Sequence, residues 1–310
     1  MLLGAHCSTA GGVACALERA VRIGAECCQL FVKNNMQWFA RPLREEELRA
    51  YREARHQAGL GCVFGHAGYL INLAAPPSPN RDKSLRSLVQ EVERAEALDL
   101  PFLVVHPGAH LGAGVETGLA RVAEALDEVI AATPGCRVRL ALENTAGQGT
   151  CLGAELWHLT ELYQRVRHPE RLAICLDTAH LWGAGYDIRR PDGWARVWEE
   201  LEGGVGLDQL VAFHLNDSKA SLGSRVDRHE HIGRGRLGLE AFRLLLADPR
   251  FAALPGCLET PKSDDLHEDR ENLAVLRALS APERGARDRR TGGAVRKRES
   301  RARLERRRAQ

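Results

Sequence analysis

The segment LAICLDTAH, residues 172–180, changes character halfway along. Its first five residues are apolar, the length and composition of a strand buried on both faces, and its last four set Asp177 and His180 three apart at a strand-to-helix turn. A strand whose carboxyl end delivers an acid and an imidazole is what a parallel sheet with chemistry on one rim requires. Seven other runs repeat the pattern: Leu2 to Cys7, Cys27 to Val32, Gly61 to Phe64, Phe102 to Val105, Val138 to Leu142, Leu210 to Phe213 and Gly256 to Leu258. Between and after them lie stretches of helical period such as 45–58, 84–98, 118–132, 155–166, 194–201, 240–246 and 266–279. Eight strand-to-helix alternations predict an α/β chain closed into a single (β/α)8 TIM barrel. An open doubly wound sheet is the alternative, weakened because Gly11 and Gly12 stand without the GxGxxG spacing a dinucleotide needs.

The third run leads through Gly65 to His66, and the residues that follow the fourth to eighth runs are His106, Glu143, Asp177, His214 and Glu259. His, Asp and Glu together make up 53 of 310 residues, so six such endings in succession point to one shared site at the barrel mouth. Several carboxylates in one low-dielectric pocket must take up protons or gather around cations, and interleaved histidines favour cations. Two further clusters add ligands. His180 belongs to LDTAH, and in DRHEH an extended backbone puts Asp227 and His229 on one side, where His231 competes with His229.

Nine side chains exceed what one ion needs. With zinc taking about four ligands, they suit three ions with bridging carboxylates, and the nitrogen-and-oxygen mixture favours zinc, with manganese or iron as alternatives at some positions. Three divalent ions against four carboxylates leave a local surplus of about +2, to be met by an anion such as phosphate and a hydroxide formed from water of lowered pKa. Cys175 and Cys257, each two residues before a carboxylate, read as packing inside the barrel.

Composition narrows the classes further. Hydrophobic residues at 44% and charged residues at 27% exclude a wholly disordered, fibrous or collagen-like chain. Residues 281–310 carry twelve Lys/Arg and four Asp/Glu, a local +8, which leaves 31 basic against 37 acidic residues before position 281. The expectation is a barrel domain over 1–280 followed by a disordered basic tail over 281–310, which would hold DNA non-specifically. Met1 to Leu17 resembles neither a signal peptide nor a spanning helix, and nine cysteines without a CxxC pair suit reduced thiols. A monomeric cytoplasmic protein with no membrane partner is expected.

GHAGYLINLA at 65, VVHPGAH at 104, LENTAGQG at 142, CLDTAHLWGAGYD at 175, FHLNDSK at 213, GSRVDRHEHIGRG at 223 and LET at 258 resemble, in order, the motifs of endonuclease IV, the family of tri-zinc apurinic/apyrimidinic endonucleases. The resemblance extends from GAHCSTAGG at 4 to about residue 279. It implies cleavage of double-stranded DNA on the 5′ side of an abasic site, leaving a 3′ hydroxyl and a 5′ deoxyribose phosphate, with trimming of blocked 3′ ends. Matched motif by motif, it implies His66, His106 and Glu143 for a first zinc, Glu143, Asp177, His214 and Glu259 for a second, and His180, Asp227 and His229 for a third. Glu143 and Glu259 are the catalytic carboxylates of this reading. The same resemblance prefers His229 over His231 and assigns DNA contacts to Asn35, Met36, Tyr69 and Leu70, with Met36 standing where relatives often carry arginine. Two other classes remain open at this level: a metal-dependent sugar isomerase or epimerase on a similar barrel, and a non-catalytic zinc protein that binds lesions.

Overall fold

The computed structural model describes residues 1–280, so the basic arm at 281–310 lies outside the described residues. The strands are β1 Leu2–His6, β2 Cys27–Phe31, β3 Cys62–His66, β4 Phe102–Val105, β5 Arg139–Glu143, β6 Leu172–Asp177, β7 Leu210–His214, β8 Asp217–Ser218, β9 His229–Glu230 and β10 Pro255–Leu258. Eight of them pair in parallel in the closed order β1-β10-β7-β6-β5-β4-β3-β2, which is the TIM barrel expected, while β8 and β9 form a small antiparallel ribbon beside it. The helices are α1 Val13–Arg22, α2 Glu45–Ala58, α3 Pro79–Ala97, α4 Val115–Ala132, α5 Trp157–Arg165, α6 Thr178–Ala184, α7 Pro191–Glu202, α8 Leu239–Leu246 and α9 His267–Ser280.

Two helices depart from the sequence reading. α1 buries Val13, Ala16, Leu17 and Ala20, an i, i+3, i+4, i+7 stripe, but its first turns continue the uncharged stretch of β1 and so blur its period. α6 is a seven-residue helix whose N-cap is Asp177, with Oδ1 accepting the His180 backbone N–H at 2.8 Å. The strand boundaries also shift: β1 stops at His6 rather than Cys7, and β3 starts at Cys62 and runs through His66.

Two apolar regions follow from the strand alternation. Residues such as Leu3, Ala5, Leu30, Leu140 and Ile174 face outward into the layer shared with the helices. Cys27, Phe64, Val104, Ala141, Cys175, Ala212 and Cys257 form a separate buried cluster, each facing into the barrel from its own strand. The eighth place belongs to Gly4, which pairs with both Cys27 and Cys257, where an added Cβ would lie 1.9 Å from the Cys27 carbonyl oxygen and 2.8 Å from its Sγ. Side chains on one face of a strand recur every two residues, so this layer predicts the next one. Two residues further along each strand stand His6, Gln29, His66, His106, Glu143, Asp177, His214 and Glu259.

Candidate metal centre at the barrel mouth

This second layer closes the barrel interior with polar groups. Glu143, Asp177, His214 and Gln29 are fully buried and His66 nearly so. Glu143 is the hub. Its Oε2 lies 2.9 Å from His106 Nε2 and 3.2 Å from His66 Nε2, and its Oε1 lies 2.8 Å from His214 Nδ1 and 3.3 Å from His180 Nδ1. Glu259 Oε2 faces the same His214 nitrogen at 3.3 Å. On the far side, Asp227 sits between two imidazoles, with Oδ2 3.3 Å from His180 Nε2 and Oδ1 3.2 Å from His229 Nε2.

The outer nitrogens of these rings fix what the inner ones can do. His66 Nδ1 lies 2.7 Å from the Ala67 carbonyl, His180 Nδ1 2.9 Å from that of Asn144, and His229 Nδ1 3.2 Å from that of Glu259. A carbonyl only accepts, so each Nδ1 carries a proton and each ring turns its Nε2 toward carboxylate oxygens, a lone pair there whenever the ring is neutral. His214 is reversed: its Nε2 donates to Gln29 Oε1 at 2.6 Å, leaving Nδ1 to face Glu143 and Glu259. Lone pairs facing carboxylates repel unless a proton or a cation lies between them.

His229 Nε2 tests which of these the site suits. It is buried and makes no hydrogen bond, because Asp227 Oδ1 is near enough but out of line. A nitrogen aimed between Asp227 and Asp177 without a linear partner suits a cation between them better than a shared proton. Among the described residues, three groups at the mouth place all their ligand atoms within 4.8 Å of one another: His66–His106–Glu143, Glu143–Asp177–His214–Glu259 and Asp177–His180–His229; a fourth, Asp265–His267–Glu268, lies elsewhere and is largely exposed. The three groups gather eight of the nine candidate ligands named from the sequence at one mouth; in the third, Asp177 stands where the sequence reading put Asp227, which joins through its contacts with His180 and His229. Asp177 reaches toward the third set as well as the second, its Oδ2 being 3.7 Å from His229 Nε2. His231 turns away, with Nδ1 3.1 Å from Asn272 Nδ2 of α9.

The electrostatics without a cation are those of protons held in its place. Burial opposes charge on Glu143, His180, His214 and His229, yet mutual attraction wins at each. Burial raises the Glu143 pKa, but His214 and His106 beside it hold it well below the usual carboxylate range. Burial likewise lowers His229, but Asp177 and Asp227 push it up to about 9, and His180 and His214 are raised by the same competition.

Several residues of the site escape an acid-and-histidine reading. Gln29 holds His214 through Oε1 and donates through Nε2 to Glu259 Oε1 at 2.5 Å and to His6 Nδ1 at 2.8 Å. Burial lowers the His6 pKa to about 4, so this ring is neutral and accepts that bond. Asn216 donates to Asp177 Oδ2 at 2.6 Å and accepts the Glu259 backbone N–H at 2.8 Å. Asp217 is buried and accepts backbone N–H groups from Gly233, Gly235 and Leu237, which anchors the loop after β9 and with it His229.

Beside the cluster opens a pocket of about 560 Å³, lined by His6, Thr9, Phe31, Asn35, Tyr69 and Glu259 among others. Tyr69 stands 60% exposed with its ring edge-on to Phe31, and Met36 is 67% exposed, whereas Asn35 and Leu70 are half-buried. Among the described residues no helix is long and apolar enough to cross a membrane.

Comparison with known proteins identifies the family of the chain. Residues 17–279 match the family described as xylose isomerase-like TIM barrel. The probable endonuclease 4 of Chloroflexus aurantiacus is 50% identical over 276 residues, covering 89% of this chain and 97% of that protein. The probable endonuclease 4 of Geobacter sulfurreducens is 48% identical over 277 residues, covering 89% and 94%. The crystal structure of endonuclease IV from Thermus thermophilus superposes with a TM-score of 0.78 at 36% identity, covering 90% of this chain and 98% of that one. D-psicose 3-epimerase from Clostridium cellulolyticum, at a TM-score of 0.62 and 14% identity, shares the fold alone. With its barrel and nearly its whole described length matched at this level, the chain belongs to the endonuclease IV family.

Proposed function

We propose that this protein repairs DNA by hydrolysing the phosphodiester on the 5′ side of an abasic site, leaving a 3′ hydroxyl and a 5′ deoxyribose phosphate, and that the same centre trims blocked 3′ ends. The observation that carries the proposal is the set of imidazole lone pairs, fixed from behind by carbonyls and Gln29, converging on shared carboxylates. This donor set fits zinc, with His66, His106 and Glu143 holding one ion, Glu143, Asp177, His214 and Glu259 a second, and His180, Asp227 and His229 a third. Manganese is the alternative at one position. When bound, such ions supply a lowered water pKa and Lewis-acid stabilisation of charge on the phosphate.

The chain's own residues do the rest. Glu143, shared by two sets and fully buried, fixes the spacing between them. Glu259 belongs to the second set and also lines the pocket, so its carboxylate orients the attacking water beside the phosphate. Tyr69 and Met36 project from the rim and unstack the duplex as apolar wedges, with Leu70 and Asn35 behind them, at a cost of a few kcal/mol that is least where no base is paired. The protein acts as a monomer in the cytoplasm on double-stranded DNA.

The test is a duplex with one tetrahydrofuran abasic analogue incubated with zinc-loaded protein, alongside elemental analysis. Incision 5′ to the lesion with about three zinc equivalents per chain is the expected result. Retention of the duplex without cutting would instead make the protein a binding module, and epimerisation of a ketose would make it a sugar enzyme.

A further inference from the structure

Residues 32–44 contain neither helix nor strand, yet this long connection and the turn after β3 carry every wedge residue proposed above. Backbone groups in such a loop must find partners elsewhere. They find them on one helix. Ser87, Gln90, Glu91 and Arg94 lie at i, i+3, i+4 and i+7 of α3, the spacing of a single helix face. Ser87 Oγ donates to the Trp38 carbonyl at 2.8 Å. Gln90 takes both main-chain groups of Ala40, accepting its N–H at 2.7 Å and donating to its carbonyl at 2.9 Å. Arg94 donates to the carbonyls of Val32 and Arg41, each at 2.7 Å.

Glu91 joins the second loop to the first. Its Oε2 accepts the Gly68 N–H at 3.0 Å, and its Oε1 lies 3.0 Å from Lys33 Nζ in an ion pair whose side chains are 1% and 2% exposed. Lys33 Nζ in turn donates to the Gln37 carbonyl at 2.5 Å. The loops touch at Gly68, where an added Cβ would stand 3.2 Å from the Asn35 carbonyl oxygen and 3.3 Å from Lys33 Nζ.

We infer that this polar face of α3, completed by Lys33, is a clamp that sets the conformation of both DNA-facing loops before DNA arrives, making Lys33, Ser87, Gln90, Glu91 and Arg94 positioning residues for lesion recognition. The inference rests on the abasic-endonuclease reading. Exposed side chains unstack a duplex only if the backbone behind them does not yield, and ordering a loop in advance removes that cost from binding. A burial this deep of a lysine and a glutamate is otherwise a poor source of stability.

The test uses the zinc-loaded full chain in two variants. Glu91→Gln alone would orphan a buried lysine and could unfold the protein, so the pair is replaced together as Lys33→Met with Glu91→Leu, and Gln90→Ala is made separately. Steady-state incision of a tetrahydrofuran-containing duplex, hydrolysis of bis(4-nitrophenyl) phosphate and amide hydrogen exchange are measured. If releasing the loops leaves about a tenth of molecules competent, KM for the duplex rises about tenfold while kcat and the small diester stay within about twofold. Exchange at 33–41 and 68–70 accelerates in parallel, with zinc content unchanged. Unchanged exchange, or faster exchange with an unchanged KM, overturns the clamp. Wild-type protein that leaves the duplex intact overturns the endonuclease reading and this inference with it, a result distinct from either.

Discussion

Replacing Gln29 tests whether a neutral amide governs the second set of ligands. The side chain is fully buried, and each arm of its amide is committed: Oε1 to His214 Nε2, and Nε2 to Glu259 Oε1 and His6 Nδ1. Gln29→Leu keeps the volume and removes all three bonds. An orphaned buried N–H on His214 costs about 1–3 kcal/mol, and the lost charge-assisted bond to Glu259 about 1.5–3 kcal/mol. Part of this loss falls equally on the metal-free protein, so the part felt by the ion is smaller, in line with the 10- to 100-fold drop in affinity, roughly 1.4–2.7 kcal/mol, typical of losing such an outer partner. Gln29→Glu separates the two roles. It keeps an acceptor for His214 but sets a second carboxylate against Glu259, which a cation relieves. Zinc affinity, read by competition with a chromophoric chelator at fixed pH, should fall for Gln29→Leu and hold or rise for Gln29→Glu. Equal losses in both would assign the effect to the lost N–H donor rather than to the acceptor for His214, and an affinity within twofold of wild type for Gln29→Leu would refute the role altogether.

Three other perturbations follow from the same geometry. Glu259→Gln neutralises a carboxylate shared between the cluster and the pocket without changing volume, so incision should fall by at least about a hundredfold with an unaltered circular dichroism melting profile; wild-type turnover would contradict the assignment. His229→Ala should release close to one zinc equivalent, whereas His231→Ala, whose ring is turned toward Asn272, should retain full metal content by elemental analysis. For chelator-treated protein, the His229 pKa raised to about 9 means the folded state holds a proton that the unfolded chain loses near 6.5, so stability from this group is complete below about 6.5 and is lost as pH rises through about 9. Urea denaturation should show a decline approaching 3 kcal/mol across that window, about 1.4 kcal/mol per pH unit, absent from zinc-loaded protein because the cation takes the proton's place. A flat profile in the stripped protein would exclude the protonated ring.

What could be read from the residues depended on whether strand period or tertiary packing decided their position. His66, His106, Glu143, Asp177, His214 and Glu259 were legible because each ends an apolar run, and a barrel turns those ends to one rim. His6 obeys the same rule but was hidden by a run drawn one residue too long, to Cys7, and a one-residue error reverses the face on which a side chain is counted. Gln29 is hidden differently: it stands two residues after the inward-facing Cys27, so period alone marks it, but an uncharged amide gives no signal in a search for acids and histidines. His229 and His231 are equivalent on an extended backbone. They are told apart in the fold by Asn272 on α9, which holds the His231 ring, and by the Asp217 carboxylate that gathers the loop, contacts from before and after the motif that no local pattern announces. The clamp on α3 belongs to this second kind. Its residues have helical spacing, but a polar face at that spacing ordinarily meets water, and only the course of loop 32–44 over the helix turns Ser87, Gln90, Glu91 and Arg94 into partners for main-chain atoms. Six of the residues that would hold an ion, and Gln29 that would tune one, are thus placed by the barrel strands, whereas His180, Asp227 and His229 and the residues that would steady the duplex depend on the segments between them; substitutions in the ligand set and in the clamp should separate in zinc content against KM.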